Sequence, residues 1–339
     1  MAEFVYIYEE GRRPQRRSAL EDAQAIKERL ELPEEIRNSV SGKLEVVVGP
    51  TGDYASINEA ISALRYYKDE VDILVDAENH TEDSVVLISH GDFSNMTIRP
   101  LTTGFSNAVV DVNETALMQY YQSFPDVDEI IAASDYICRP YMIVNNAIAP
   151  RILVNFTSVP DPSSVDSRFT GLFAYNGHVN IGYLASNSGN AGFSNFPKNN
   201  TLIAAGSTLT LLDAVYMRNA GSGLDSGLAD VSDNGGVGAN VAVLAGSTFK
   251  AGLSRGGGAV TMESSLSDEI VCYDASTVIV GVNAFITASV GKNTVNAFRG
   301  SLVQWGAQIG TATIDSSSAL FTSSSLGGVT NAGFGSGAV

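Results

Sequence analysis

Apolar residues in the first third of the body come in short runs separated by turn chemistry. Leu44-Glu45-Val46-Val47-Val48 is rich in β-branched residues and predicts a strand. Gly49-Pro50-Thr51-Gly52 is turn sequence. Ile57, Ala60, Ile61 and Leu64 follow at i, i+3, i+4 and i+7, which predicts a short amphipathic helix near 56–66, capped by Asp53 or Ser56. Val71–Val75, Ser84–Ser89 and Met96–Pro100 then predict three closely spaced strands.

The second half repeats one pattern: apolar alternation, a small-residue turn, then apolar alternation again. It is seen in Leu202-Ile203-Ala204-Ala205-Gly206-Ser207-Thr208-Leu209, in Val241–Phe249 and in Ile270–Val278, and in worn form in Thr311–Leu320. The serines at 207, 247, 276 and 317 are 40, 29 and 41 residues apart. Unequal spacing suits stacked coils of roughly 20–30 residues with loops of variable length inserted at one corner. Stacked coils bury a continuous core of Val, Ile, Leu and Ala. Small residues permit tight corners, and Ser, Thr or Asn at equivalent corners can hydrogen-bond along the stack. An antiparallel sandwich or jelly roll is the rival arrangement of such strands. Residues 101–170 are less repetitive; 116–121 and 127–131 read as insertions or irregular strands, and 160–164 as a loop.

Residues 1–43 differ from the rest. They carry nine acids and eight bases, including the basic knot Arg12-Arg13-Pro14-Gln15-Arg16-Arg17. Ser18-Ala19-Leu20-Glu21 has the form of a capping box. Ala19, Ala23, Ile26 and Leu30 place a helix after it, ended by Pro33. A single short helix cannot bury its own apolar face, so this arm packs either on the body or on a partner.

Composition narrows the function. The net charge is −17, from 20 Lys and Arg against 37 Asp and Glu. Duplex nucleic acid is an unsuitable partner for this balance. Hydrophobic residues at 44% supply a sizeable core, while charged residues at 17% disfavour a helical bundle. Cys138 and Cys272 read as two buried thiols, and the three histidines are too scattered for a metal site. A basic region followed by an apolar stretch is lacking at the N-terminus and no apolar run reaches ~18 residues, so neither a signal peptide nor membrane insertion is expected.

The order strand, Gly-Asp-Tyr-x-Ser-Ile-x-x-Ala-Ile, helix, strand, strand, carried here by Gly52, Asp53, Tyr54, Ser56, Ile57, Ala60 and Ile61, resembles the entrance of right-handed parallel β-helix proteins of the pectin-lyase-like type. It is similar to pectin methylesterases and to bacteriophage tailspikes and tail fibres. The motif is recognisable over 44–100 only, and it speaks for fold more than for chemistry. The resemblance implies an all-β chain: an N-terminal helical attachment arm (1–43), a parallel β-helix body (44–330) whose end is covered by the capping helix, and a flexible Gly/Ser-rich C-terminus (331–339). It also implies a homotrimer in the virion, assembled in the host cytoplasm. Arg12, Arg13, Arg16 and Arg17 would fix the arm to phage tail or baseplate proteins, and the body would meet host surface polysaccharide.

The same scaffold can carry a depolymerase, or serve as a purely structural virion decoration. The Asp nucleophile strand and the Gly-Arg-Pro-Trp-like segment of pectin methylesterases are missing from this sequence. Arg12–Arg17 matches the Arg-x-Pro-x-x-Arg spacing of pectate lyases, but it precedes the first coil. A hydrolase needs two carboxylates ~5–10 Å apart. Asp213, Asp225, Asp230, Asp233, Glu263, Asp268 and Glu269 are the candidates, each also explicable as a turn former. Asp225, Asp230 and Asp233, together in one Gly-rich loop, are the expected receptor-binding residues. Tyr216, Tyr273, Phe285, Phe298 and Trp305 are the few aromatic residues of the second half, several of them expected in the core. Neither a catalytic residue, a metal nor a cofactor is assigned.

Overall fold

The computed structural model describes residues 6–7, 15–16, 43–102, 108–123, 138–159, 168–183, 190–221, 238–253, 259–306, 311–322 and 329–331. The chain divides into two compact units, Met1–Leu44 and Glu45–Val339. In the first, β1 (Tyr6–Ile7) pairs antiparallel with β2 (Gln15–Arg16), setting Tyr6 opposite Arg16. Strands this short carry no periodicity to read in a sequence. The helix expected after Ser18 lies outside the described residues, as do Arg12, Arg13, Arg17 and the C-terminal 332–339.

The second unit is a parallel β-helix with three walls. After β3 (Leu44–Val48), the first wall stacks β4 (Val71–Val75), β7 (Met96–Pro100), β10 (Arg151–Ile152), β13 (His178–Ile181), β16 (Thr208–Leu211), β19 (Thr248–Ala251), β22 (Thr277–Val280), β25 (Leu302–Trp305) and β27 (Ala319–Thr322). The second wall holds β5 (Thr81–Glu82), β8 (Val109–Asn113), β11 (Asn155–Val159), β14 (Gly192–Ser194), β17 (Val215–Arg218), β20 (Val260–Glu263) and β23 (Ala284–Thr287); β14 and β17 meet through the single bridge Ala191 to Val215. The third wall holds β6 (Val86–Asp92), β9 (Arg139–Ile148), β12 (Phe169–Tyr175), β15 (Asn199–Ala204), β18 (Val241–Val243), β21 (Ile270–Cys272), β24 (Val295–Ala297), β26 (Ala312–Ile314) and β28 (Val329–Asn331). Alternation turns one side chain in two inward, and the interior is continuous: Ile73, Ile98, Ile152, Ile181, Leu211 and Val280 are all buried. Tyr141, Phe156 and Phe193 form an aromatic file through it, with ring centroids 5.0 and 5.5 Å apart.

The corner from the third wall to the first explains the repeated Ala-Gly-Ser sequence. Ala205 and Gly206 have φ of 54° and 76°, and Ala245 and Gly246 have φ of 51° and 71°. Two successive left-handed residues make the tightest reversal, and glycine lowers its cost. The following serine stitches adjacent coils. Ser207 Oγ accepts from the Gly177 N–H at 3.0 Å, Ser276 Oγ from Ser247 at 3.2 Å, and Ser318 Oγ from Ser301 at 3.1 Å. Ser318, not Ser317, therefore occupies the equivalent corner. The expected 41-residue interval spans two coils, one of 25 residues (Thr277 to Leu302) and one of 17 (Leu302 to Ala319). The hydroxyl of Ser247 is buried without a hydrogen-bond partner. Ser276→Ala is accordingly expected to cost about 1 kcal/mol, and Ser247→Ala close to nothing. Urea unfolding of the two variants checks this, and equal losses would remove the stitching role from Ser276.

At the N-terminal end, α1 (Ile57–Leu64) covers the first coil with Ile57, Ala60, Ile61 and Leu64, all buried. Ser56 is the cap: its Oγ accepts from the Glu59 N–H at 3.2 Å, and the Glu59 carboxylate accepts from the Ala55 N–H at 3.0 Å. The Gly-Asp of the entrance motif has a separate task. Asp53 accepts from the Val47 N–H at 2.8 Å, while a Cβ on Gly52 would stand 2.5 Å from the Val47 carbonyl oxygen. The turn folds back on its own strand, and only glycine fits there.

The stretch expected as an insertion or irregular strand at 116–121 is helical: α2 (Glu114–Ser123) buries Leu117 and Tyr121, one turn apart. It lies between second-wall and third-wall strands, in the coil with the longest offset, Ile98 to Ile152. The 40-residue coil from Thr208 to Thr248 is also enlarged at this corner, between β17 and β18.

Candidate functional site

The outer face of the second wall, toward its C-terminal end, presents functional groups in register. In β17, β20 and β23 the inward residues are Val215 and Met217, Val260 and Met262, then Ala284 and Ile286. Alternation leaves two outward rows: Tyr216, Thr261 and Phe285, and beside it Arg218, Glu263 and Thr287. The Tyr216 hydroxyl donates to Glu263 Oε1, and the Arg218 guanidinium lies 5.4 Å from the Tyr216 ring centroid. The hydrogen bond to Glu263, with burial adding, pushes the Tyr216 hydroxyl above its ordinary pKa. Three charged or polar groups are thus locked together on the outer face that also carries Phe285, which is 62% exposed.

Among the described residues the second-wall ladder ends at β23. An open groove of about 640 Å³ runs along β23, lined by residues that include Phe285, Thr287, Ser289, Lys292 and Thr311. Its floor is held by hydrogen bonds. The Lys292 N–H donates to the Ser289 carbonyl at 3.0 Å, Thr311 Oγ1 donates to the Lys292 carbonyl at 2.9 Å, and Ser289 Oγ donates to the Ser265 carbonyl at 2.9 Å. An exposed aromatic ring, hydroxyl groups and one ammonium group around an open groove can stack on a sugar ring and hydrogen-bond its hydroxyls.

The residues singled out in the sequence are distributed otherwise. Asp225, Asp230 and Asp233 fall outside the described residues, and Arg16 is in β2. Asp213, Asp268 and Glu269 are buried within the wall, so they do not form an exposed carboxylate pair. Asp268 accepts from the Asn293 N–H at 2.6 Å and from Asn296 Nδ2 at 2.8 Å. Glu269 accepts from Asn240 and from both the N–H and hydroxyl of Ser265. Of the aromatic residues, Trp305 and Tyr273 are core, Tyr273 stacking on Phe298 at 5.0 Å. Tyr216 and Phe285 face outward. The alternation in Val215-Tyr216-Met217-Arg218 and Ala284-Phe285-Ile286-Thr287 carries that signal, since in each the aromatic shares a face with a polar residue. Cys138 and Cys272 are free and buried, as expected, and burial pushes both thiols up to about 12. No family model, curated protein or solved structure matches this chain.

Proposed function

We propose that this chain is a host-attachment protein of a bacteriophage virion, a tail fibre or tailspike, whose β-helix body binds polysaccharide of the cell surface. The observation that carries the binding half is the exposed Phe285 beside an open, hydroxyl-lined groove along β23. The virion half is supported by the resemblance over Gly52–Ile61, now accounted for as a turn and cap that close a β-helix end. It is also supported by an N-terminal unit separate from the body. In this reading the arm docks to the tail, three chains associate, and the groove meets the glycan.

The test uses the purified full-length chain against a panel of capsular and lipopolysaccharide-derived oligosaccharides, by calorimetry, with reducing-sugar release measured in parallel. Binding without release is expected. Release would move the protein to the depolymerase class, and no binding across the panel would sink the reading. A 44–339 fragment is expected to keep its β-sheet circular dichroism and glycan binding while losing incorporation into particles. Collapse of the fragment would show the arm to be part of the core.

A further inference from the structure

Lys292 is out of keeping with its surroundings. Residues 44–339 carry 28 acids against 12 bases, a field that repels anions. Yet the described lining of the groove contains no carboxylate, and Lys292 is its one charged residue. Its backbone is pinned by the bonds to Ser289 and Thr311, its side chain is half-buried, and its ammonium group forms no ion pair among the described residues. The acids nearby are engaged elsewhere: Asp268 accepts from the Asn293 N–H and from Asn296 Nδ2, and Glu263 accepts from Tyr216. A half-buried cation without an ion pair among the described residues, in a groove whose described lining holds no carboxylate, favours an anionic ligand group at that point.

Resting on the polysaccharide reading above, we propose that the groove along β23 selects an acidic glycan: Lys292 pairs with the carboxylate of a uronic- or sialic-acid residue while Phe285 stacks on an adjoining ring. Thr287 stands next to Phe285 on the outer face to accept or donate to ring hydroxyls. The groove's size is that of an ordinary small-ligand site, ~300–1,000 Å³, so it takes a short stretch of the chain, with the rest lying along the outward rows.

The experiment titrates full-length protein with tetragalacturonate, an α2,8-linked sialic acid tetramer and a hyaluronan hexamer, with the carboxyl-reduced form of each and with maltohexaose. At least one acidic oligosaccharide is expected to bind, at least ten-fold tighter than its carboxyl-reduced form, and less tightly as salt is raised. Lys292→Gln, which removes no side-chain bond among the described residues, is expected to abolish that preference, and Lys292→Arg to keep it. Phe285→Ala is expected to weaken acidic and reduced forms alike. Equal binding of acidic and reduced forms, with Lys292→Gln silent, would overturn the acidic selectivity and leave the polysaccharide reading standing. If no oligosaccharide binds and Phe285→Ala instead changes the sedimentation coefficient, the groove is a contact between copies of the chain, and both are overturned.

Discussion

Asn240→Ala is expected to lower stability by about 3 kcal/mol at pH 7 and by clearly less at pH 4. Asn240 is fully buried and joins three strand starts. Its Oδ1 accepts from Asn200 Nδ2, and its Nδ2 donates both to Glu269 and to the Glu263 carbonyl. Alanine would take one of two partners from the Asn200 amide and from the Glu263 carbonyl, and would leave the buried Glu269 Oε2 without its donor. The pH dependence comes from Glu269. Burial raises its pKa from the ordinary 4.5, while bonds from Asn240 and then Ser265 pull it back down. A carboxyl whose folded pKa lies above the unfolded one binds protons more readily when folded. Its contribution is therefore fully present below 4.5 and is lost as pH rises through the raised folded value. Removing Asn240 widens that window upward and deepens the loss at neutral pH, while at pH 4 the protonated carboxyl no longer needs the lost donor as much. Urea titrations at the two pH values measure the difference. The same loss at both would mean that Glu269 does not sense Asn240.

Glu82→Ala is expected to cost a similar amount, about 3 kcal/mol, and to act at the capped end. Glu82 is wholly buried, and its Oε1 accepts from the Ile57 N–H at 3.1 Å and pairs with His80 Nε2 at 2.8 Å. Ile57 opens α1, so its N–H is one of the donors that a helix leaves unsatisfied. Glu82 thus ties the capping helix to the first second-wall strand. The charge is felt by its neighbours: burial first, and Glu82 second, drive the Tyr141 hydroxyl pKa well upward. Glu82→Gln keeps an acceptor for Ile57 and should lose less. Hydrogen exchange localises the effect, since the amides of 57–64 should open before those of the central coils. Uniform loss of protection along the stack would show instead that the cap and coils unfold as one unit.

The cap was legible because every part of it is local: a β-branched strand, a Gly-Asp turn, a serine cap and an apolar stripe within about 20 residues. The Ala-Gly corners were legible for a similar reason, because small residues suit paired left-handed φ, whereas Asp274-Ala275 and Arg299-Gly300 make the same corner without that signature. What escaped depends on which coil stacks on which. Ser317 and Ser318 are indistinguishable until Leu302 is known to face Ala319. Asn199, Asn200, Asn240 and Glu269 have the composition of a loop, yet are buried because polar groups from successive coils satisfy one another. The groove escaped altogether. It is lined from β23, from the turn that follows it and from Thr311 of a later coil, and no local pattern brings these together. Phe285 and Lys292 become neighbours of one cavity only through the stacking of coils.

The unequal coils also set an order of assembly. Closing a coil costs entropy that grows with the logarithm of its length, so the 54-residue closure from Ile98 to Ile152 costs about 1 kcal/mol more than the 17-residue closure from Leu302 to Ala319. The part of the body that leaves the ribosome last is the part that pairs most readily. The coil from Ile98 to Ile152 waits longest for its partner, whereas the first coil, Val71 to Met96, closes over 25 residues, and the acidic chain must stay unaggregated in the longer interval.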